Sequence, residues 1–306
     1  MVNRTSTYIV FGVGVLLAVA AVLKVPIGFG PGLALCFLGL VLFGLSFIPR
    51  AEAPPDALPA MSFFEKLAGI FFEPSRVFQN LRAHPRWLVA LIISSLLAFA
   101  YSTAFVYRLT PERIVTFTTD KVIEQFNIPP EQGQKMKEDQ IAQAKSPGRV
   151  AGNVVTTFVG AFVVTAIFAA LYMLAVLLFG GRMGFWQAFA MAVWAALPVA
   201  IIGRILSLVI LFIKDPDDIH PVLGQGGLVT DNLGALVKAA DHPVLFAVLS
   251  VFGILSFYHL WLVATGLRNA GERVSSSAAW TIALIFWFIG LLLAVAVSAL
   301  FGSFMS

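Results

Sequence analysis

Seven long apolar runs dominate this chain, and Arg204 is the one charged residue within them. A helix needs about 20 apolar residues to cross the roughly 30 Å hydrocarbon core of a bilayer. Because lipid offers no hydrogen-bond partners, the backbone of such a run must satisfy itself as a helix. The chain is 59% hydrophobic and only 12% charged. The sequence therefore predicts an all-α integral membrane protein with seven transmembrane helices, at Tyr8–Leu23, Ile27–Ile48, Trp87–Val106, Val154–Phe179, Phe185–Ile213, Pro243–Leu267 and Ala278–Phe301.

The first two runs predict a separate N-terminal transmembrane hairpin over residues 1–48, turned at Lys24-Val25-Pro26. A cleaved signal peptide is an alternative for Tyr8–Leu23, since it follows Arg4 and contains Ala18-Val19-Ala20. A stiff Pro-rich linker over 49–60 then leads into a domain over 61–306.

The charges of the connecting segments predict the orientation. Basic residues near helix ends mark the cytoplasmic side of a membrane. This rule places the N terminus and the segments 49–86, 180–184 and 268–277 in the cytoplasm, and the C terminus outside. The expected location is a bacterial plasma membrane.

The segment Met61–Ala83 is predicted to form two cytoplasmic amphipathic helices, the second beginning at Pro74. An apolar stripe with basic edges suits a helix that lies among lipid headgroups. Packing on the ends of the bundle is an equal alternative, and a groove for a partner protein is a third. The candidate membrane-interface residues are Phe63, Phe64, Phe71, Arg76 and Arg82.

On the other side, the segment 107–153 is predicted to be an extracytoplasmic helical insertion with helix starts at Thr110-Pro111-Glu112 and Pro129-Pro130-Glu131. The loop Lys214–His242 carries Asp215, Asp217, Asp218 and His220. Pro216 and Pro221 break any regular ligand spacing there, so the loop is interpreted as a hydrated acidic turn rather than a cation site.

Within the spans, Arg204, Pro198 and His259 are the candidate binding residues, for a lipid headgroup or around a polar cavity. An arginine at a helix centre costs about 2.5–3.5 kcal/mol, and an ionisable residue in a span is a functional hypothesis by default. Pro198 leaves the Trp194 carbonyl without its helical partner. No aspartate or glutamate lies in any run, so Arg204 needs a carbonyl, hydroxyl, water, lipid phosphate or loop carboxylate as its partner.

The sequence contains no motif for catalysis, metal, cofactor or nucleic-acid binding. Gly224-Gln225-Gly226-Gly227 has the glycines of a phosphate loop but lacks its lysine and its strand-to-helix setting. A non-enzymatic protein without cofactors is therefore expected.

The order of several motifs resembles the Yip domain family, the Ypt/Rab-interacting membrane proteins and their bacterial relatives. The motifs are Glu73-Pro74-Ser75-Arg76-Val77-Phe78, then His84-Pro85, Trp186-Gln187-Ala188-Phe189, Ala196-Leu197-Pro198, Asn232-Leu233-Gly234-Ala235-Leu236, Phe257-Tyr258-His259-Leu260-Trp261, Gly266-Leu267 and Ser277-Ala278-Ala279. Ser256 stands where relatives often carry an aspartate.

The resemblance implies a five-helix Yip-like bundle with a cytoplasmic N terminus and no known enzymatic activity. The expected function is that of a membrane scaffold, or a membrane-organising or trafficking-type protein, that contacts lipids and self-associates or binds another membrane protein. A lipid or small-solute transporter with a polar cavity around Arg204 is the alternative.

Overall fold

The computed structural model describes residues 4–22, 29–47, 59–145 and 148–305. The predicted turn at Lys24-Val25-Pro26 and residues 49–58 of the predicted linker lie outside these ranges. In chain order the helices are α1 Arg4–Val22, α2 Phe29–Leu45, α3 Phe63–Phe72, α4 Pro74–Ala83, α5 Leu88–Leu109, α6 Pro111–Phe126, α7 Pro130–Ala144, α8 Gly148–Leu178, α9 Phe185–Ile213, α10 Pro243–Ser250, α11 Ile254–Ala270 and α12 Ser276–Phe301.

The all-helical membrane class is confirmed, but the count of seven spans is not. By length and composition, four helices in the described ranges can cross a membrane: Leu88–Leu109, Gly152–Leu178, Phe185–Ile213 and Ser276–Phe304. They correspond to the third, fourth, fifth and seventh apolar runs of the sequence.

The sixth run does not form one helix. The prediction of a continuous helix over Pro243–Leu267 is wrong, because the backbone turns between Ser250 and Ile254 and divides the run into α10 and α11. The loop that precedes α10 supplies the missing hydrogen bonds. The Asp231 carboxylate accepts from the Leu255 N–H at 2.7 Å, and the Leu233 N–H donates to the Phe252 carbonyl at 3.2 Å. Backbone groups freed by the break are thus satisfied within the protein.

The N-terminal helices α1 and α2 pack closely through small residues. A Cβ atom on Gly14 would lie 2.5 Å from the Cys36 backbone nitrogen, and one on Gly32 would lie 2.5 Å from that of Ala18. Small residues allow helix backbones to approach in lipid, where packing replaces the hydrophobic driving force.

The chain contacts divide the protein into two compact units. Unit 1 comprises Met1–Leu96, Val150–Ala200 and His259–Ile285, and unit 2 comprises Leu97–Arg149, Ile201–Tyr258 and Phe286–Ser306. In unit 1 the fully buried side chains include Ile70 and Phe78 from α3 and α4, and Phe189 and Trp194 from α9.

Unit 2 has its own core, where Ile219 from the loop after α9 packs with Tyr101, Phe105 and Leu109 of α5 and Leu211 of α9. Helices α6 and α7 also belong to this unit. They are joined by an ion pair between Lys137 and Asp120, and Lys145 pairs with Glu112 at 2.5 Å. Unit 2 therefore holds the polar loop of the sequence against helices α5 and α9.

Candidate functional site

The helix pair α3–α4 begins with a double cap. The Ser62 hydroxyl accepts from the Glu65 N–H at 3.3 Å, and the Ser62 N–H donates to the Glu65 carboxylate at 2.6 Å. This capping box satisfies two backbone donors that a helix start leaves open. The hydrogen bond that the Ser62 N–H donates to the carboxylate is the main cause that lowers the pKa of Glu65. Pro74 stands in the first turn of α4, where its missing N–H is no loss.

Helix α4 packs on the helices of unit 1. Val77, Phe78 and Leu81 are completely buried. The side chain of Asn80 also points inward, where its amide donates to the Pro59 carbonyl at 2.9 Å and its oxygen accepts from the Met61 N–H at 3.2 Å. Of the two equal interpretations of Met61–Ala83, packing on the bundle therefore describes α4.

Helix α3 keeps an exposed apolar face. Phe64 and Phe72 are 78% and 85% exposed, and Ala68 between them is also exposed. Residues four apart lie on one side of a helix, so these three form a stripe, which we name the α3 apolar face. Phe63 and Phe71 are half-buried, and the Phe63 ring lies 6.1 Å from that of Trp194.

The two candidate basic residues differ in their environments. Arg76 is exposed and pairs with Glu73 at 3.3 Å. Arg82 pairs with Glu272 at 2.8 Å, and its carbonyl accepts from the Gln187 side chain at 2.7 Å. The hydrogen bond and charge of Arg82 lower the pKa of Glu272. Arg82 therefore joins α4 to the first turn of α9 and to the segment after α11, while Arg76 faces outward.

In unit 2, Arg204 holds a loop. Its Nη1 donates to the Gly226 carbonyl at 2.9 Å, and its guanidinium lies 5.1 Å from the centre of the Tyr101 ring. The Tyr101 hydroxyl donates to the Gly224 carbonyl at 2.5 Å. We call residues Leu223–Leu228 the glycine loop. A carbonyl and an aromatic face together stabilise the arginine charge in an apolar setting.

The backbone of the glycine loop requires a glycine at position 227. Gly227 has a φ of 140°, and a Cβ atom there would lie 3.2 Å from the Ser207 hydroxyl oxygen. That oxygen accepts from the Leu228 N–H at 2.9 Å. The carbonyls of Gly224 and Gly226 accept hydrogen bonds from Tyr101 of α5 and Arg204 of α9. The loop therefore presents acceptor oxygens to donor side chains, and not N–H groups to an anion.

Comparison with known families settles the resemblance. The model of the Yip1 domain matches residues 68–297, which is most of the chain. The chain belongs to the Yip1 domain family. The match begins within α3 and ends within α12, so α1 and α2 lie outside the Yip1 domain. No curated protein and no solved structure matches this chain.

Membership supports a membrane-associated, non-enzymatic role, since the Yip1 family is not known as an enzyme family. Within the described ranges, no group of three or more His, Cys, Asp or Glu side chains is placed to hold a metal ion. Ser256 accepts from the Trp287 ring N–H at 3.0 Å.

The other two candidate intramembrane residues of the Yip1 domain belong to unit 1. The His259 Nδ1 lies 3.3 Å from the Ala195 carbonyl of α9. Pro198 stands inside the same helix. Arg204 belongs to unit 2. Its partners there are the Gly226 carbonyl and the Tyr101 ring.

One buried charge in unit 1 was missed by sequence reasoning. Lys66 is only 1% exposed, and its ammonium donates to the Met61 carbonyl at 3.2 Å. Burial and the nearby Arg86 charge lower its pKa to about 8. Its spacing in the sequence could have indicated this burial, because Lys66 lies four residues before the buried Ile70 and therefore on the same side of α3.

Replacing Arg204 by leucine is expected to release the glycine loop without unfolding the protein. The change removes a charged hydrogen bond worth about 1.5–3 kcal/mol, but it also removes the cost of burying a charge. Hydrogen exchange of the amides of the glycine loop should therefore accelerate, while the unfolding midpoint moves little. Tyr101→Phe keeps the ring beside the guanidinium and removes only the bond to Gly224, so it measures what that second bond adds to the protection of the loop. Unchanged exchange in Arg204→Leu would contradict this assignment.

Proposed function

We propose that this chain is a non-enzymatic, multi-pass membrane scaffold that contacts lipid through the α3 apolar face. The observation that carries the proposal is the exposure of Phe64 and Phe72 on a helix whose neighbour, α4, buries its own apolar residues Val77, Phe78 and Leu81. Fully burying a phenylalanine side chain is worth about 1.5–3 kcal/mol, so two on one face favour an apolar surrounding over water. The partner is the headgroup and upper acyl region of the membrane.

The proposed topology follows the charge rule. The N terminus and α3–α4 lie in the cytoplasm, and the C terminus lies on the outer side of a bacterial plasma membrane. The support is the set of basic residues in the flanking segments, among them Arg76, Arg82 and Arg86. We also propose that the chain contacts a second copy or another membrane protein. The lipid contact of α3 would orient the domain at the membrane surface for that contact.

Environment-sensitive labels test the lipid contact directly. The chain has one cysteine, Cys36, so a Cys36→Ala background allows a single label at Phe72→Cys. In the full-length protein in lipid vesicles, that label is expected to emit in the blue and to resist an aqueous quencher. Ser75→Cys on exposed α4 surface is the matched control and should remain accessible. Equal quenching at both positions would exclude the lipid contact.

Substituting the α3 apolar face is expected to abolish the membrane-organising effect while leaving the protein folded. Phe64→Glu with Phe72→Glu introduces charge only at exposed positions, whereas deleting Met61–Ala83 would also remove the buried Phe78. The readouts are vesicle morphology and the proteins captured with the full chain in native lipid. Ser75→Glu controls for added charge. Wild-type morphology and partners in the double variant would refute the proposal.

A lipid or small-solute transporter remains the second candidate, and Arg204 is the residue on which it depends. Its support is weaker, since a loop carbonyl and the Tyr101 ring already take up the guanidinium. Transport by reconstituted wild-type protein, lost in Arg204→Leu, would revive it.

A further inference from the structure

His220 lies three residues before the glycine loop and accepts two backbone hydrogen bonds. Its Nδ1 is 3.1 Å from the Val222 nitrogen and 3.2 Å from the Leu223 nitrogen. A backbone N–H can only donate, so Nδ1 must be the unprotonated nitrogen and the proton lies on Nε2. The structure thus requires a neutral imidazole with one defined tautomer.

The setting of the ring favours that neutral form. The Nε2 atom is buried and has no hydrogen-bond partner among the described residues. The ring meets Phe117 of α6 edge to face, with 5.0 Å between the ring centres. Burial lowers the pKa of His220, and the positive charge of Lys121 lowers it further.

Charged groups surround His220 from each packed element. Helix α6 contributes Arg113 and Lys121, and the loop itself contributes Asp217 and Asp218. A surface cavity of about 340 Å³ is lined by His220, Arg113 and the two aspartates, together with Phe117, Ile219 and Pro221.

Arg113 already binds the loop, since it donates to the Pro216 carbonyl at 2.7 Å and to Asp217 at 3.2 Å. On the α5 side, Arg108 donates to the Lys214 carbonyl at 3.4 Å and Tyr101 binds Gly224.

We infer that His220 is a pH-sensitive latch that holds the glycine loop against Arg204 and Tyr101 at neutral pH and releases it in acid. A proton on Nδ1 turns an acceptor into a donor. The hydrogen bonds from the Val222 and Leu223 N–H groups are then lost. Nothing on His220 then fixes the turn that leads to the Gly224 and Gly226 carbonyls. The open loop exposes the imidazole to water.

The direction of the pH dependence follows from the two states. In the closed loop the pKa of His220 lies below its ordinary value of about 6.5, and in the open loop it returns to that value. The latch is therefore complete above that pH, and acid favours the open loop. The exposed side of the loop lies outside the cytoplasm in the proposed topology, where external acidity reaches it. The latch does not depend on the lipid contact of α3.

Hydrogen exchange of the full-length protein in lipid tests this latch. After correction for intrinsic rates, protection of amides 222–228 should fall by about tenfold for each pKa unit between the two states as the pH drops from about 7.5 to about 5. His220→Asn keeps an acceptor that can bind the following N–H groups but cannot titrate in this range. Its loop should therefore stay protected at both pH values.

Protection of helix α8 reports whether each variant is folded. A loop in the wild type that keeps its protection in acid would overturn the inference. An equal loss of loop protection in acid in His220→Asn would also overturn it, since that result would assign the pH effect to other groups such as Asp217 or Asp218.

Discussion

Replacing Phe78 by alanine is expected to reduce the free energy of unfolding by about 3–5 kcal/mol. Phe78 is completely buried, and its ring lies where α4 meets Gly266 of α11. Removing the ring deletes its transfer free energy and leaves a cavity that the helices close only in part. Unfolding of the full chain in mixed micelles measures the change.

Phe72→Ala is the matched control for Phe78→Ala. It removes the same side chain six positions earlier, but from an 85% exposed site, so the change in stability should stay within about 0.5 kcal/mol. Its effect should instead be weaker membrane contact by α3. Equal loss of stability in the two variants would show that α4 is not the docked helix of the pair.

Gly266→Leu is expected to destabilise unit 1 by about 3 kcal/mol. A Cβ atom at Gly266 would lie 2.6 Å from Cγ and 2.8 Å from Sδ of Met191, and 3.2 Å from the Phe78 ring. Met191 and Phe78 are both fully buried, so the added side chain must displace packed core atoms. Overpacking of a filled core costs about 1–3 kcal/mol or more, and leucine adds further atoms beyond Cβ. The unfolding midpoint in mixed micelles is the measurement.

Gly160→Leu in α8 separates overpacking from a general effect of the substitution. A Cβ atom at Gly160 meets nothing within 4 Å, and leucine has the higher helix propensity. This variant should therefore be neutral or slightly stabilising. If Gly266→Leu were as stable as Gly160→Leu, the close contact of α4, α9 and α11 would be ruled out.

The helix starts outside the spans were readable from the sequence. Pro74, Pro111 and Pro130 each stand in the first turn of a helix in the structure, because proline fits a position whose N–H has no helical partner. The apolar runs were readable for a related reason. A bilayer requires long uncharged segments, and composition alone reveals them.

The break between α10 and α11 was not readable. Its stabilising partner is Asp231, which lies in the preceding polar loop, 24 residues before Leu255, and no local periodicity identifies such a contact. The site was predictable only in part, for the same reason. Sequence reasoning required a partner for Arg204 and named carbonyls among the possible groups, but only the fold shows Gly226 and the Tyr101 ring in that position. The burial of Lys66 and the two bonds to His220 also depend on contacts between segments.

The divided run has a consequence for how the protein is made. Pro243–Leu267 is largely apolar, without Asp, Glu, Lys or Arg, and long enough for the insertion machinery to treat it as a single segment. Its native form needs Asp231 and Leu233, which precede it in the chain. Synthesis runs from the N terminus, so the residues that stabilise the turn have already been made when the run leaves the ribosome. The order of translation therefore allows the run to fold as two helices while it enters the membrane.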